Sequence, residues 1–329
     1  MTFIRKQAFT LLLLGVVLFA ALLPDLGKSG GYLHSEITTK IGVWLIFFLQ
    51  GLGLPTSELA SGYKPKRLHA FVLSWNYLLF PLMAGVIVLA YGVFLPESLR
   101  AGIWLLAILP TTVSSAVVFS AVSGGHVSNA IFSTVLSNVL SVLIVPSIAV
   151  AYLAAEGSAE VALSPLFGKL ALLIIFPLVL GQLLRWRMTG WATLVAKRTK
   201  SLSSGIILFI VFAAFSDSVD SGFLDQLSGS AVVAVVAATV SLLLLVSVAV
   251  RYSAGVVGLN QAQQTTAFFC SSQKSLATGL PLLSSTLAAS SGALDPAAAL
   301  IPLMCYHPAQ LVLAGWFSQR LISQQPPSS

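Results

Sequence analysis

Charge is what this sequence has least of. Only 8% of its 329 residues are Asp, Glu, Lys or Arg, against about 25% in a soluble domain. That is too few to cover a water-facing surface, and with 57% of residues hydrophobic the chain reads as a bilayer protein. Cysteine is scarce too. Cys270 and Cys305 both fall in apolar runs, which argues against a disulfide framework, and no CxxC or HxxxH spacing offers a metal centre. The net charge of +7 would suit a nucleic-acid binder, but its distribution follows membrane topology instead.

What the chain has in quantity is apolar runs of about 17–25 residues, the length that crosses a bilayer as helix. Ten are present, with soft edges: 8–24, 38–54, 70–91, 101–122, 127–152, 164–186, 201–216, 228–250, 263–286 and 296–318. The first follows Arg5 and Lys6 and has no clear cleavage site at Pro24–Asp25; it is read as an uncleaved span, with a secretory signal as the alternative. With the N-terminus in the cytoplasm, one side holds Arg5, Lys6, Lys64, Lys66, Arg67, Arg185, Arg187, Lys197, Arg198, Lys200, Arg251 and Arg320, and the other holds Lys28, Lys40, Arg100 and Lys169. Basic residues mark the cytoplasmic side. Acidic residues segregate oppositely: Glu58 inside, the other nine outside. Both termini are therefore expected in the cytoplasm. The loops near 55–69, 153–163 and 187–200 are short, so the chain is one membrane domain, 1–329, ending in a tail, 321–329, expected to be disordered.

Divided near residue 160, the chain has five spans in each half, about 8–152 and 164–318, and the fourth span of each half is interrupted. An odd number of spans per half inverts one half relative to the other. Matching interruptions in inverted halves point to a transporter site at mid-membrane; the alternative is that small residues there only permit close helix packing. The expected fold is all-α and polytopic, ten transmembrane helices in two inverted five-helix repeats, with the fourth and ninth broken and crossing.

Polar side chains gather at those interruptions. The fourth span has Thr111, Thr112, Ser114 and Ser115 just after Pro110; the ninth has Ser271, Ser272, Gln273, Lys274 and Ser275. The fifth span adds Asn129 and Ser133, which at i, i+4 share a face, together with Ser137 and Asn138. Asn76 precedes Pro81 in the third span, and His307 and Gln310 flank Pro308 in the tenth. Single serines in membrane helices usually bond back to their own backbone, and His307 suits a helix kink as well as a proton path. Lys274 is different. A lysine at mid-membrane costs about 2.5–3.5 kcal/mol on insertion scales, and no span contains an Asp or Glu to pair with it. Carbonyls of a broken helix, a bound anion, or a neutral amine remain as compensation.

LPTTVSSAVVFSAVSGGHVSNAIFSTVLSN, FPLVLGQLLR, FFCSSQKSLATGLPL and LIPLMCYHPAQLVLAGW resemble the bile acid:sodium symporter superfamily, closest to its SBF-like branch of bacterial proteins and a vertebrate orphan carrier. The resemblance covers nearly the whole chain. It implies a panel of helices 1, 2, 6 and 7, a core of helices 3–5 and 8–10, an organic-anion substrate moved between them, and in studied members two sodium ions behind the crossing. The family's ion positions fall on Ser115, Ala116, Asn129, Ser133 and Asn76, and on Phe269, Cys270, Ser272 and Gln273. Ser115, Asn129, Ser133 and Gln273 are the candidate sodium ligands. The sequence departs where it matters: Phe269 replaces a glutamate that serves both ions, Lys274 replaces an asparagine, and Ala116 replaces a side-chain ligand. Two like charges a few ångströms apart in a low dielectric repel strongly, so Lys274 is expected to stand in for a cation.

The leading functional reading is a secondary transporter of a small organic anion in the bacterial inner membrane, coupled to sodium or to protons, with no other cofactor and no nucleic-acid partner. It is expected not to be an enzyme. The alternatives are a membrane regulator without transport, an intramembrane Ser–Lys hydrolase with Ser271 or Thr278 beside Lys274, and a Schiff-base protein built on the lone lysine.

Overall fold

The computed structural model describes residues 3–53, 61–155, 168–169, 171–222, 225, 227–289 and 294–323. Glu58, Glu156 and Glu160 lie outside them. The described residues are helical with short connections, and no strand occurs among them. Apart from a single turn at Pro24–Gly27, the helices in chain order are α1 (Phe3–Leu22), α2 (Ser35–Gly53), α3 (Lys66–Phe94), α4 (Glu97–Ala107), α5 (Ser114–Val122), α6 (Val127–Ala155), α7 (Ala171–Ile175 running into Phe176–Arg187), α8 (Thr189–Asp220), α9 (Gly229–Val256), α10 (Gln261–Ser272), α11 (Leu276–Ala289) and α12 (Pro296–Ser323).

Among the described residues five stretches are long and apolar enough to cross a bilayer without interruption: Lys66–Phe94, Val127–Tyr152, Ser201–Asp220, Gly229–Val256 and Ala297–Ser323. The fourth and ninth sequence spans are not among them because each is two shorter helices, α4 with α5 and α10 with α11. Two boundaries differ from the sequence reading. The stretch 187–200, read as a loop, is helical from Thr189 onward. Past Gly190 it holds no glycine and no proline, so α8 extends back through the basic run to Thr189, and the backbone leaves helical geometry only at Met188, with φ −131° and ψ 54°. Helix α12 runs to Ser323, so residues 321–323 of the expected tail are helical; the remainder lies outside the described residues.

Two features in α3 and α7 share one local cause. Each contains a widened π-turn, Trp75–Leu79 and Ala171–Ile175, immediately before a Phe-Pro-Leu sequence. Proline brings no N–H to the ladder, and an i→i+5 turn is one way a helix absorbs the loss.

The described chain forms two compact units. The first is 1–54, 145–229 and 280–300; the second is 55–144, 230–279 and 301–329. In the first, α2 and α7 approach through glycine. A Cβ on Gly51 would strike the Leu178 carbonyl, and one on Gly181 would strike the Phe48 carbonyl, the small-residue contact that membrane helices use where hydrophobicity gives no drive between them. At the other end of this unit Lys28 bonds Asp25 at 2.7 Å and Asp220 at 2.8 Å, and the Ser29 N–H donates to Asp217 at 2.6 Å. The Asp220 hydrogen bond, then that of Asp25, holds the Lys28 ammonium well above its ordinary pKa. Ser218 donates to Asp295 at 2.7 Å. In the second unit α3 and α9 are tied by Trp75 to Ser253 at 3.1 Å and by Tyr91 with Ser241 at 2.9 Å. This unit also holds both interruptions.

Candidate functional site

Helix α4 stops at Ala107 because Pro110 supplies no N–H to continue it. Helix α10 starts at a capping box, with Asn260 accepting from the Gln263 N–H and the Gln263 side chain returning to Asn260. It ends at Ser272, after which Gln273 is extended, with φ −101° and ψ 144°. Ser275 then starts α11, its hydroxyl accepting from the Thr278 N–H at 3.1 Å. Neither glycine nor proline lies in this gap. Its backbone is held from outside: the Ser275 N–H donates to the Pro110 carbonyl at 2.8 Å, so one interruption hydrogen-bonds directly to the other. Gln310 of α12 supplies the rest. Its Oε1 accepts from the Lys274 N–H at 2.7 Å and its Nε2 donates to the Lys274 carbonyl at 2.9 Å. Its amide thus does for an extended residue what a neighbouring strand would do. Tyr306, one turn earlier, donates to the Ser272 carbonyl at 2.7 Å.

Lys274 is fully buried, 0% exposed. Its Nζ donates to the carbonyls of Ala107 at 2.6 Å, Leu109 at 2.8 Å and Asn76 at 3.1 Å, and lies 4.0 Å from the centre of the Phe80 ring. These carbonyls are available for a reason written in the sequence. The Phe80 N–H, which would serve Asn76 in a regular helix, goes to Trp75 in the π-turn, and the next residue is Pro81, without an N–H. Ala107 and Leu109 sit at the carbonyl end of α4, where the helix dipole is negative and Pro110 removes another donor. Hydrogen bonds to a charged group are worth about 1.5–3 kcal/mol each, and a cation over an aromatic face about 0.5–2 kcal/mol. Three such bonds outweigh an insertion cost of about 2.5–3.5 kcal/mol. A carboxylate partner is not required.

Around this cage the sequence candidates divide. Gln273 Oε1 accepts from Thr112 at 2.9 Å and from Ser115 at 2.7 Å, and these hydroxyls are 2.5 Å apart. Asn76 donates to Ser137 at 3.2 Å and to the Cys270 carbonyl at 3.4 Å. The Thr111 carbonyl accepts from Asn138 at 2.9 Å. The Ser272 hydroxyl bonds back to Phe268 at 2.7 Å, and Ser114 is exposed on the first turn of α5. His307 Nδ1 is 2.9 Å from Gln310 Nε2, two bonds from the Lys274 backbone. Asn129 and Ser133 are engaged elsewhere. Asn129 donates to the carbonyls of Gly62 and Lys64, and Ser133 is 2.7 Å from His69 Nδ1. Several buried polar atoms at the crossing have no partner: Gln273 Nε2, Ser271 Oγ, Thr111 Oγ1, Asn76 Oδ1 and Asn138 Oδ1. Ser271 is therefore not hydrogen-bonded to Lys274. Gln310, noted in the sequence only as flanking Pro308, and Tyr306, which the sequence reading did not single out, hold the backbone of the gap.

The residues do not fit a sodium ion in the cage. The three carbonyls that would ligate it already receive the ammonium. Phe269, in place of the family's glutamate, is packed among Phe119, Phe268 and Phe317. Ser115 and Gln273 meet, but their oxygens are neutral and bonded to one another, and Asn129 and Ser133 have other partners.

The model of the SBF-like CPA transporter family matches residues 7–323. An uncharacterized protein of Pseudomonas aeruginosa is 32% identical over 95% of this chain and 92% of its own length. The sodium/bile acid cotransporter 7 of Danio rerio is 31% identical over 94% and 92%, and sodium/bile acid cotransporter 7-B of Xenopus laevis 29% over 94% and 90%.

Proposed function

Since the chain belongs to the SBF-like CPA transporter family, we propose that it is a secondary transporter of a small organic anion, working by alternating access, with the Lys274 ammonium in place of a coupling sodium ion. The observation that carries this reading is the carbonyl cage around Lys274, at the point where two interrupted helices meet. The ammonium charge, the positive N-terminal ends of α5 and α11 and the unpartnered Gln273 amide N–H all suit an anion. The names of the vertebrate relatives, sodium/bile acid cotransporters, support an organic-anion substrate. Lys274 is also the candidate carrier of a coupling proton. Counterflow in proteoliposomes tests the reading. A panel of organic anions should contain at least one that preloaded unlabelled anion drives inward in the wild type and not in empty vesicles; no exchange across a broad panel would favour a membrane regulator.

The proposed architecture is ten spans in two inverted five-span repeats, about 8–152 and 164–318, a panel of spans 1, 2, 6 and 7 with a core of the rest, in the inner membrane with both termini cytoplasmic. The meeting of Lys28, Asp25, Asp217 and Asp220, all assigned to the external side by charge, supports placing the two loops that carry them on the same side of the membrane. Reporter fusions at residues 60, 125, 193 and 255 should read cytoplasmic, and those at 97, 157 and 222 external. Two of these reversed would break the odd-span repeat.

A further inference from the structure

On the first unit, α2 and α8 leave an open groove of about 850 Å³. Its walls are Ile41, Leu45, Leu202, Ile206 and Phe209, and its charged lining residue is Arg198. The two helices touch where α2 has no side chain: a Cβ on Gly42 would come within 2.7 Å of Ile206 Cγ2. Beside that contact Gly205 has nothing within 4 Å of where its Cβ would be, so the space is built by small residues and filled by none. Among the described residues nothing covers it, with Ile41 62% and Leu202 47% exposed.

Among the lining residues the charge lies at one end. Arg198 belongs to the run Lys197-Arg198-Thr199-Lys200, at the foot of α8 where the apolar stretch Ser201–Asp220 begins. Among the described residues no carboxylate pairs with Arg198. A long apolar trough closed by an unpaired guanidinium matches an amphipathic anion lying along a bilayer. The guanidinium fork fits a phosphate oxygen pair, and the trough fits an acyl chain. We propose that this groove is a binding site for an anionic phospholipid, its phosphate on Arg198 and one acyl chain between α2 and α8.

The test uses the full-length protein purified in mild detergent and titrated with phosphatidylglycerol or phosphatidylcholine, with bound lipid counted by native mass spectrometry. The wild type should retain phosphatidylglycerol in preference to phosphatidylcholine. Arg198→Gln should weaken that preference at least about tenfold. Gly205→Leu, which projects into open space and favours helix, should lower retention of both lipids. Wild-type retention in either variant would overturn the proposal. So would equal binding of inorganic phosphate alone, or a dimer that Gly205→Leu dissociates while lipid retention stays unchanged, since the occupant would then be a free anion or a second copy of the chain.

Discussion

Lys274→Ala is expected to abolish transport while leaving a folded, membrane-inserted protein. The substitution removes the one ammonium from the crossing and strands three carbonyls, those of Asn76, Ala107 and Leu109. A buried acceptor left without a donor costs about 1–3 kcal/mol, so the variant should be several kcal/mol less stable in a buffer of large organic cations. The same vacancy has the oxygen donors a small cation needs. Sodium should therefore raise the thermal midpoint of Lys274→Ala, as any ligand of the native state does, and leave that of the wild type unmoved. Lys274→Arg should not restore transport: a planar fork does not fit three carbonyls arranged around a compact ammonium. Thermal unfolding in detergent with sodium against choline, followed by counterflow, reads all three outcomes. Wild-type transport in Lys274→Ala would remove the lysine from the mechanism.

The second large effect belongs to Gln310. Its amide satisfies both the N–H and the carbonyl of Lys274, and among the described residues no other side chain bonds both groups. Gln310→Leu keeps the volume and deletes both bonds. Two buried backbone groups left unpaired amount to about 2–6 kcal/mol, and the gap would lose the position that aims Lys274 at its cage. Transport is expected to fall at least tenfold and the thermal midpoint to drop. Gln310→Glu retains the acceptor for the Lys274 N–H but brings a second acceptor against the Lys274 carbonyl, and should lie between. An unfolding midpoint and transport rate in Gln310→Leu equal to the wild type would show that the gap is held by other means.

Much of this was legible in the sequence for one reason: a bilayer makes the pattern coarse. A charge at mid-span is visible as an exception, as Lys274 is. The helix breaks were readable too, because Pro110 and the polar string 271–275 are local signals. What could not be read was which distant groups would meet. That the cage is completed by the Asn76 carbonyl depends on a π-turn and Pro81 in another helix, brought there only by folding. The i, i+4 spacing put Asn129 and Ser133 on one face correctly but could not say what that face meets, and the structure gives it the Gly62 and Lys64 carbonyls and His69. The 187–200 stretch failed for a different reason: hydropathy marks where hydrocarbon ends, and a helix stops only at a breaker or a cap.

An ammonium in the place of a coupling sodium makes transport independent of sodium. Counterflow of the transported anion in proteoliposomes, measured against sodium concentration with choline as the replacement, tests it most directly. The wild-type rate should be the same with and without sodium. A sodium dependence with a Hill slope near two, unchanged in Lys274→Ala, would show that the lysine replaces nothing.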